Sequence, residues 1–402
     1  MRTVAAAVAV LVVLAGCSAV PVAAPGGDHT VIDRTVTPGI QVDNGSLPVD
    51  QNAIYGEVTR MLETDAAPPE RVDLEPDSAM GIARKSMPRF YRLVGVKRPA
   101  GASRAATALG YVSTPDAVHI NDKLTEDPAQ LRLTLTHEYV HVVQGRTDAF
   151  GRLRRSVPGE NTTDGEMVRT SVLEGAAVSV ETAYWKRHDD SGTSPAAGMS
   201  ASYAGTSGAR QWIYARYHFG YRYVQAHTDS LAGIDRLYDA PPKTSEELIH
   251  ELPRGAEPMP PLSVSVQTPA WRRNGTDRQG ELFTRVALDT ELPSEEAASA
   301  AAGWGTDARV ELTDGERTGY VWALRWDDEA NATEFEHALT DYLDDRATER
   351  NDTWTDGTVS FRPTRVGPET VVLTLGDEAF VNNVRVDGTD AQVRVSPANA
   401  SA

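Results

Sequence analysis

The chain has 402 residues, enough for two domains, and its formal net charge is −18 with 57 acidic and 39 basic residues. Such an acidic balance speaks against nucleic acid as a partner, because a nucleic-acid-binding surface is basic. Cys17 is the single cysteine, which excludes an intramolecular disulfide and a cysteine-ligated metal site.

The balance of basic residues predicts a salty environment. Only five of the 39 basic residues are lysines. An acidic surface with arginine in place of lysine is typical of halophilic proteins, because strong salt screens the self-repulsion of the charges. A merely acidic protein from a GC-rich mesophile is the alternative. Sequons for a glycosylated surface begin at Asn44, Asn161, Asn274, Asn331, Asn351 and Asn399.

The N-terminus predicts an anchor on the outer face of the cell membrane. An apolar run over residues 4–14 is too short to span a bilayer and ends in Leu14-Ala-Gly-Cys17, which resembles a lipobox. That resemblance implies cleavage before Cys17 and lipidation of its thiol. An ordinary secretory signal with an incidental cysteine is the alternative. No later run of 18 apolar residues is present, so we expect an anchored protein rather than a spanning one.

Shifts in composition predict the domain organisation and an α+β fold. A mostly helical domain with a small sheet is followed by a smaller α+β domain with a mainly antiparallel sheet. The predicted segments are a signal peptide (1–16), the lipidated Cys17 with a flexible tether (17–69) that holds a short helix near 53–64, the first domain (70–262), a linker (263–274), the second domain (275–396) and a tail (397–402). Prolines between residues 253 and 269 mark the boundary of the two domains.

A strand followed by a metal-binding helix is predicted at the centre of the first domain. Residues 117–121 alternate and are β-branched, which indicates a strand, and Leu-Thr-His-Glu-Tyr-Val-His follows at 135–141. Residues four apart on a helix lie one above the other, so His137 and His141 can reach one Zn²⁺ at about 2.0–2.1 Å. Glu138 lies one residue around the helix, close enough to deprotonate water at the metal.

A second helix, predicted over residues 168–184, offers the third ligand. Catalytic zinc keeps three protein ligands, and two histidines with one glutamate form a known set. Glu174 is the favoured ligand and Glu181, one heptad on, is the competing candidate. Asp164 and Glu181 are candidates to orient the ligand histidines. His119 is expected to be an exposed strand residue rather than a fourth ligand.

The second domain carries no catalytic spacing. Its pattern predicts a core position for Trp304, Trp322 and Trp326, because large aromatic side chains dominate burial. The predicted elements are strands at 282–288, 319–326, 371–375 and 379–386, and helices at 294–302 and 330–343.

The segments at 137–144 and 173–181 resemble zinc peptidases of the gluzincin type, in which a Glu-Gly-x-Ala helix supplies the third ligand. The resemblance implies that His137, His141 and Glu174 bind zinc and that Glu138 is the general base.

A longer resemblance, beyond about residue 100, is to a family of surface lipoproteins of halophilic archaea with the same core. Its marks are Gln144, Asp164 and the segments 217–224, 241–250, 303–307 and 322–327. The chain departs from the family where Ala176 replaces an acidic residue and where no proline follows His250. The family is better known as a sequence pattern than as an activity.

The motif predicts a peptidase mechanism on a peptide or protein substrate. Zinc would lower the pKa of bound water toward about 7, and Glu138 would accept the proton before attack on a carbonyl. The strand at 118–121 could pair with an extended substrate. Tyr217 is favoured to stabilise the oxyanion; the candidates are Tyr203, Tyr214, Tyr217, His218, His227 and His250.

Two other classes remain open. A catalytically inactive surface lipoprotein could keep the same core as a scaffold and bind a partner or the cell envelope, although a scaffold has no need of Glu138. A structural zinc site is the second, but such sites hold four ligands and usually recruit cysteine.

Overall fold

The computed structural model describes residues 39–80, 87–98, 108–159, 161–188 and 191–398. The signal peptide, Cys17 and Asn399 lie outside these residues, so their roles stay predictions. Helices dominate the N-terminal part and an antiparallel sheet dominates the C-terminal part, which confirms the α+β class.

A small sheet lies beside the predicted metal-binding helix. Its strands in the described residues are β1 (Gln41–Asp43), β2 (Arg71–Glu75), β3 (Gly110–Thr114) and β4 (Ala117–Asn121). Their order is β1-β2-β4-β3, with β3 antiparallel to β4 at one edge and the other pairs parallel. Val72, Val118 and Ile120 are buried in the core, since alternate residues of a strand face the same side.

Helices form the rest of this part of the chain. They are α1 (Gln51–Met61), α2 (Arg89–Leu93), α3 (Pro128–Arg146), α4 (Ala149–Ser156), α5 (Thr163–His188), α6 (Pro195–Ala204), α7 (Gly208–His227), α8 (Ile234–Leu237) and α9 (Ser245–Ile249). Asp127 caps α3 by accepting from the Gln130 backbone N–H, and Pro128 occupies the first turn, where no partner for its nitrogen is needed. Within the described residues, no helix is both long and apolar enough to cross a membrane.

The tether predicted for residues 17–69 is wrong for residues 39–69, because these are packed into the body. Strand β1 pairs with β2, and α1 buries Ile54, Tyr55 and Val58. The Tyr55 ring meets the Tyr139 ring of α3 edge-on at 5.2 Å. The helix predicted near 53–64 is α1.

The C-terminal part is a seven-stranded antiparallel sheet with helices against it, counted over the described residues. The strands are β5 (Ser263–Val266), β6 (Arg272–Asp277), β7 (Trp304–Thr313), β8 (Thr318–Trp326), β9 (Thr348–Glu349), β10 (Trp354–Thr355), β11 (Ser360–Arg365), β12 (Thr370–Gly376), β13 (Val384–Gly388) and β14 (Gln392–Pro397). The strand order in the large sheet is β6-β7-β8-β12-β11-β10-β9, and a smaller sheet has the order β13-β14-β5. The helices are α10 (Glu281–Leu288), α11 (Ser294–Ala301), α12 (Glu329–Arg346) and α13 (Glu378–Asn383). Trp304, Trp322 and Trp326 are buried, as predicted.

Three local predictions are wrong. Residues 282–288 form helix α10 rather than a strand, because Leu282, Phe283 and Val286 follow a helical spacing that a short apolar run hides. The strand predicted at 379–386 begins only at β13, since Asp377 accepts from the Phe380 N–H and starts α13. The linker at 263–274 contains β5 and the start of β6, both paired in sheets.

The two predicted domains share one hydrophobic core. Phe90 of α2 packs on Phe283, Tyr320 and Trp322 from the C-terminal part, with ring centroids 5.8, 5.4 and 5.4 Å away. The two parts are therefore joined by the kind of packing found inside a single domain.

Removing Phe90 tests this shared core. Because the side chain is 2% exposed, we expect Phe90→Ala to lower the free energy of unfolding by about 3–5 kcal/mol. Phe150→Ala is the matched control, since Phe150 is 38% exposed. Urea unfolding measures both changes, and equal effects of the two substitutions would contradict a shared core.

A cluster of carboxyl groups is buried where the two parts meet. Glu246 of α9 and Glu281 of α10 are both shielded from solvent. Burial, together with the nearby charges of Glu281 and Asp327, raises the pKa of Glu246 from 4.5 to about 10. The folded protein therefore holds this proton more tightly than the unfolded chain does.

This proton predicts a pH dependence of stability. The stabilising contribution of protonated Glu246 is complete below pH 4.5 and falls as the pH rises toward 10. We expect Glu246→Gln to reduce the loss of stability between neutral and alkaline pH, as measured by thermal unfolding in constant salt. The exposed Glu296→Gln is the control. If the stability of Glu246→Gln falls with pH as steeply as that of the wild type, the Glu246 carboxyl does not change its protonation on unfolding.

Candidate metal centre

Helix α3 presents His137, Glu138 and His141 on one side. Each of these side chains is at most 1% exposed, as is Glu174 of α5. Charged and imidazole groups are rarely buried without a partner or a metal, because removing them from water costs several kcal/mol.

Helix α5 brings Glu174 against both histidines. The Glu174 Oε2 atom lies 3.3 Å from His137 Nε2 and 3.4 Å from His141 Nε2. Within the described part of the chain, His137, His141 and Glu174 are the one group of three or more such side chains that could hold a metal ion. The competing candidate, Glu181, is not in this group.

Two buried side chains orient the histidines. The Nδ1 atom of His137 lies 3.1 Å from Glu181 Oε2. The Nδ1 atom of His141 lies 2.7 Å from Gln144 Oε1. If each Nδ1 carries the hydrogen, both Nε2 atoms turn their lone pairs toward Glu174, which is the tautomer that a metal requires.

Asp164 does not take part, so its predicted role beside the histidines is wrong. Its carboxylate accepts from the Ser245 backbone N–H and from Arg278 Nε, at 2.8 and 3.0 Å. It connects the start of α5 to α9 and to the loop before α10.

Several buried polar atoms of the centre have no hydrogen-bond partner in the described structure. They are Glu138 Oε1, Glu138 Oε2, His141 Nε2 and Glu174 Oε1. Unpaired buried acceptors are rare in proteins, and each calls for a ligand, an ion or a water. Their convergence on one spot fits a metal with a water beside it.

The electrostatics of the centre favour a positive charge next to Glu174. Burial alone lowers the pKa of His137, but hydrogen bonds to Glu174 and Glu181 raise it to about 10. Burial alone raises the pKa of Glu174, but its hydrogen bond with His137 and the close imidazole of His141 lower it to about 2. Burial raises the pKa of Glu138 to about 7, although both histidines oppose the shift. A bound cation would supply the favoured charge.

A close helix crossing holds Glu174 in place. A Cβ added at Gly175 would overlap the Gly220 backbone of α7, and one added at Gly220 would overlap the Ser171 carbonyl of α5. Glycine is therefore required on both helices for their backbones to approach this closely. The crossing lies next to the ligand.

Six residues are candidates to stabilise the oxyanion. In the described structure, Tyr217 is the candidate whose ring contacts a candidate ligand histidine, His137. Its ring is fully buried, with its centroid 6.3 Å from that of His137. Three others have different partners: His218 bonds Ser200, His227 bonds the Tyr223 carbonyl and His250 bonds Glu281. Tyr203 stacks on His218, and Tyr214 is buried.

The edge strand β3 adjoins the centre. A Cβ added at Gly110 would lie 2.9 Å from Glu138 Oε1, so the β3 backbone runs directly past this carboxylate. Substrate pairing with residues 118–121 is ruled out, because β4 is flanked by β2 and β3. His119 lies on β4 and is half-buried rather than exposed, with its Nδ1 atom 2.6 Å from Glu75 Oε1.

Sequence reasoning did not assign the parts played by Gln144, Gly110 and the glycine pair. Gln144 was only a mark of a resemblance, although its position three residues after His141 places it on the same helix face. A Gly-Ala-Ala run inside a helix is the signal that could have indicated the close crossing.

The predicted glycosylation sites that the structure describes are mostly exposed. Asn331 is half-buried, and the exposed ones are Asn44, Asn161, Asn274 and Asn351. Exposure is compatible with modification but does not test it.

Comparison with known proteins assigns no activity. A domain of unknown function, DUF8575, matches residues 267–393, which is less than half of the chain and excludes α3 and α5. No curated protein and no solved structure matches the chain.

Glu181 provides a direct test of the centre. We expect Glu181→Gln to weaken binding of added Zn²⁺ by about 10- to 100-fold, because the carboxylate that orients His137 is lost. Competition with a chromophoric chelator measures the affinity. Glu166→Gln, an exposed glutamate on the same helix, is the control, and equal affinities for the two variants would show that Glu181 does not support a ligand.

Proposed function

We propose that the protein is a zinc metallopeptidase that hydrolyses peptide bonds in peptide or protein substrates. The observation that supports this proposal most strongly is the buried group of His137, His141 and Glu174. Beside it lies Glu138, whose carboxyl oxygens have no hydrogen-bond partner in the described structure. His137, Glu138 and His141 lie on α3 and Glu174 lies on α5, which is the arrangement expected of a catalytic zinc site with two imidazoles, one carboxylate and a general base.

Zinc is the metal that fits the group best. Two ligands about 2.0–2.1 Å from zinc at a tetrahedral angle are about 3.3–3.4 Å apart. The Glu174 oxygen lies 3.3 and 3.4 Å from the two histidine nitrogens. A set of two imidazoles and one carboxylate also matches catalytic zinc, which leaves a fourth position to water.

Glu138 is suited to act as the general base. When bound, zinc polarises a peptide carbonyl and lowers the pKa of water. Glu138 would accept the proton from that water, because both of its carboxyl oxygens lack a hydrogen-bond partner in the described structure. Burial raises the pKa of this carboxyl, which makes it a stronger proton acceptor.

Tyr217 is the residue we propose to stabilise the oxyanion. It is buried beside His137, and burial shields its hydroxyl from competing water. An extended substrate would add to β3 as a further strand, which places its backbone past Gly110 and Glu138.

The proposed location is the outer face of the cell membrane, with a lipid on Cys17 as the anchor. The lipobox-like sequence at 14–17 and the net charge of −18 support this location and a halophilic source. The gluzincin resemblance and the longer resemblance to archaeal surface lipoproteins agree with it.

A catalytically inactive surface module is the second candidate. The observation that favours it is the burial of all four side chains of the centre, because a peptidase must admit its substrate to the metal. Such a module would keep the metal as part of its scaffold and bind an envelope component. The two candidates differ in what Glu138 does.

Zinc content and casein hydrolysis, measured in strong salt on the chain that starts after Cys17, separate the candidates. We expect stoichiometric zinc in the wild type and Glu138→Gln, little zinc in His141→Ala, and hydrolysis in the wild type alone. His337→Ala replaces an exposed histidine and is the control for His141→Ala.

The possible results have distinct meanings. Zinc without hydrolysis on any protein substrate would favour the surface module. Hydrolysis that survives Glu138→Gln would remove Glu138 as the base. Absence of zinc in the wild type would refute the ligand assignment.

A further inference from the structure

A cavity of about 650 Å³ lies beside the metal-binding helix but apart from the metal centre. Val140, Val143 and Gln144 of α3 line it, whereas the candidate ligands and Glu138 do not. Its other walls come from residues 62–64 after α1, from Thr147 and Arg152, and from residues between 230 and 238. Ligand pockets usually measure about 300–1,000 Å³, so the cavity has the size of a small-molecule or peptide site.

The cavity has both apolar and polar walls, and its charged residues balance. Val140, Val143 and Ile234 are buried in its floor. The charged lining residues are two acids and two bases, namely Glu63, Asp235, Arg152 and Arg236. Arg152 is already paired with Asp235 and Asp239 at 2.7 and 2.6 Å. A neutral occupant with an apolar side chain fits such a lining.

The floor also offers one hydrogen-bond donor. Gln144 Nε2 donates to the Leu173 carbonyl at 2.9 Å and to the Tyr238 hydroxyl at 3.0 Å. The Tyr238 oxygen accepts this bond, and its own hydrogen has no acceptor among the described residues. Burial raises the pKa of Tyr238, so its hydroxyl keeps that hydrogen.

Gln144 connects the cavity to the metal centre. Because the Leu173 carbonyl can only accept, it fixes the amide with Nε2 toward Leu173 and Oε1 toward His141. Every polar atom of the Gln144 side chain is then engaged. The same amide thus contacts both Tyr238 in the cavity wall and His141 in the centre.

We propose that this cavity is a second binding site, for a neutral peptide unit. The carbonyl of the unit accepts from the Tyr238 hydroxyl, and its apolar side chain packs on Val140, Val143 and Ile234. Occupancy is coupled to the metal through Gln144. The binding itself does not depend on the proposed peptidase activity, whereas the coupling rests on His141 being a ligand of that site.

N-acetyl-L-leucinamide is the probe, titrated by calorimetry into the full-length chain with and without zinc. We expect saturable binding to the wild type and at least tenfold weaker binding to Ala232→Phe, which projects a bulky ring into the cavity without changing Gln144 or Tyr238. Ala204→Phe, at an exposed alanine of α6, is the matched control and should bind normally. Tyr238→Phe should bind about tenfold more weakly, because one hydrogen bond is lost. Circular dichroism confirms that each variant is folded.

Reciprocity makes the coupling measurable. The factor by which zinc changes the affinity for the probe must equal the factor by which the probe changes the affinity for zinc. We expect a factor of about five or more. Equal probe affinities with and without zinc would overturn the coupling. Unimpaired binding to Ala232→Phe, or none to the wild type, would overturn the site. Neither readout needs hydrolysis, so an inactive but probe-binding protein would refute the peptidase alone.

Discussion

The structure depends on burying two imidazoles and two carboxylates next to one another in the helical core. Ionised groups lose several kcal/mol of solvation on burial, which the protein must offset locally. The Glu174 Oε2 atom lies 3.3 and 3.4 Å from the Nε2 atoms of His137 and His141, so one cation could neutralise and coordinate the three side chains together. Glu181 and Gln144 fix the histidine rings, and the Gly175–Gly220 crossing fixes the helix that carries Glu174.

The C-terminal part is bonded directly to helix α5, which carries Glu174. The start of α5 is held by Asp277 of β6, whose carboxylate accepts from the Thr163 N–H and hydroxyl at 2.8 and 2.9 Å. Asp164 and Arg278 add an ion pair next to it. The region matched by DUF8575 thus supports α5, which carries the candidate ligand Glu174, without contributing a candidate ligand itself.

The sequence predicted the parts of the centre that local patterns encode. The spacing of His137 and His141 determines the face of α3, and β4 runs over the predicted residues 117–121. Glu174 could be found because it lies in a helix with small neighbours. The contacts of Gln144 with Leu173 and Tyr238 join segments 29 and 94 residues apart, which no local pattern records. The same limit explains the wrong orienting role for Asp164.

In the C-terminal part, the errors come from short apolar runs, where strand and helix share a composition. In α10 the apolar spacing distinguishes a helix from a strand only when all eight residues are considered. The start of α13 depends on its cap residue, Asp377. The predicted linker failed for another reason: the boundary prolines lie in loops, and the strands β5 and β6 are stabilised by partner strands more than 30 residues away in the sequence.

X-ray absorption at the zinc edge, on protein loaded with one equivalent of Zn²⁺, tests the central claim most directly. The account predicts a four-coordinate shell of nitrogen and oxygen at about 2.0–2.1 Å with the scattering of two imidazoles. In His141→Ala little zinc should stay bound, and the zinc that does should have one imidazole fewer in its shell. A six-coordinate oxygen shell without imidazole scattering, or identical spectra for the two proteins, would contradict a metal centre at His137, His141 and Glu174.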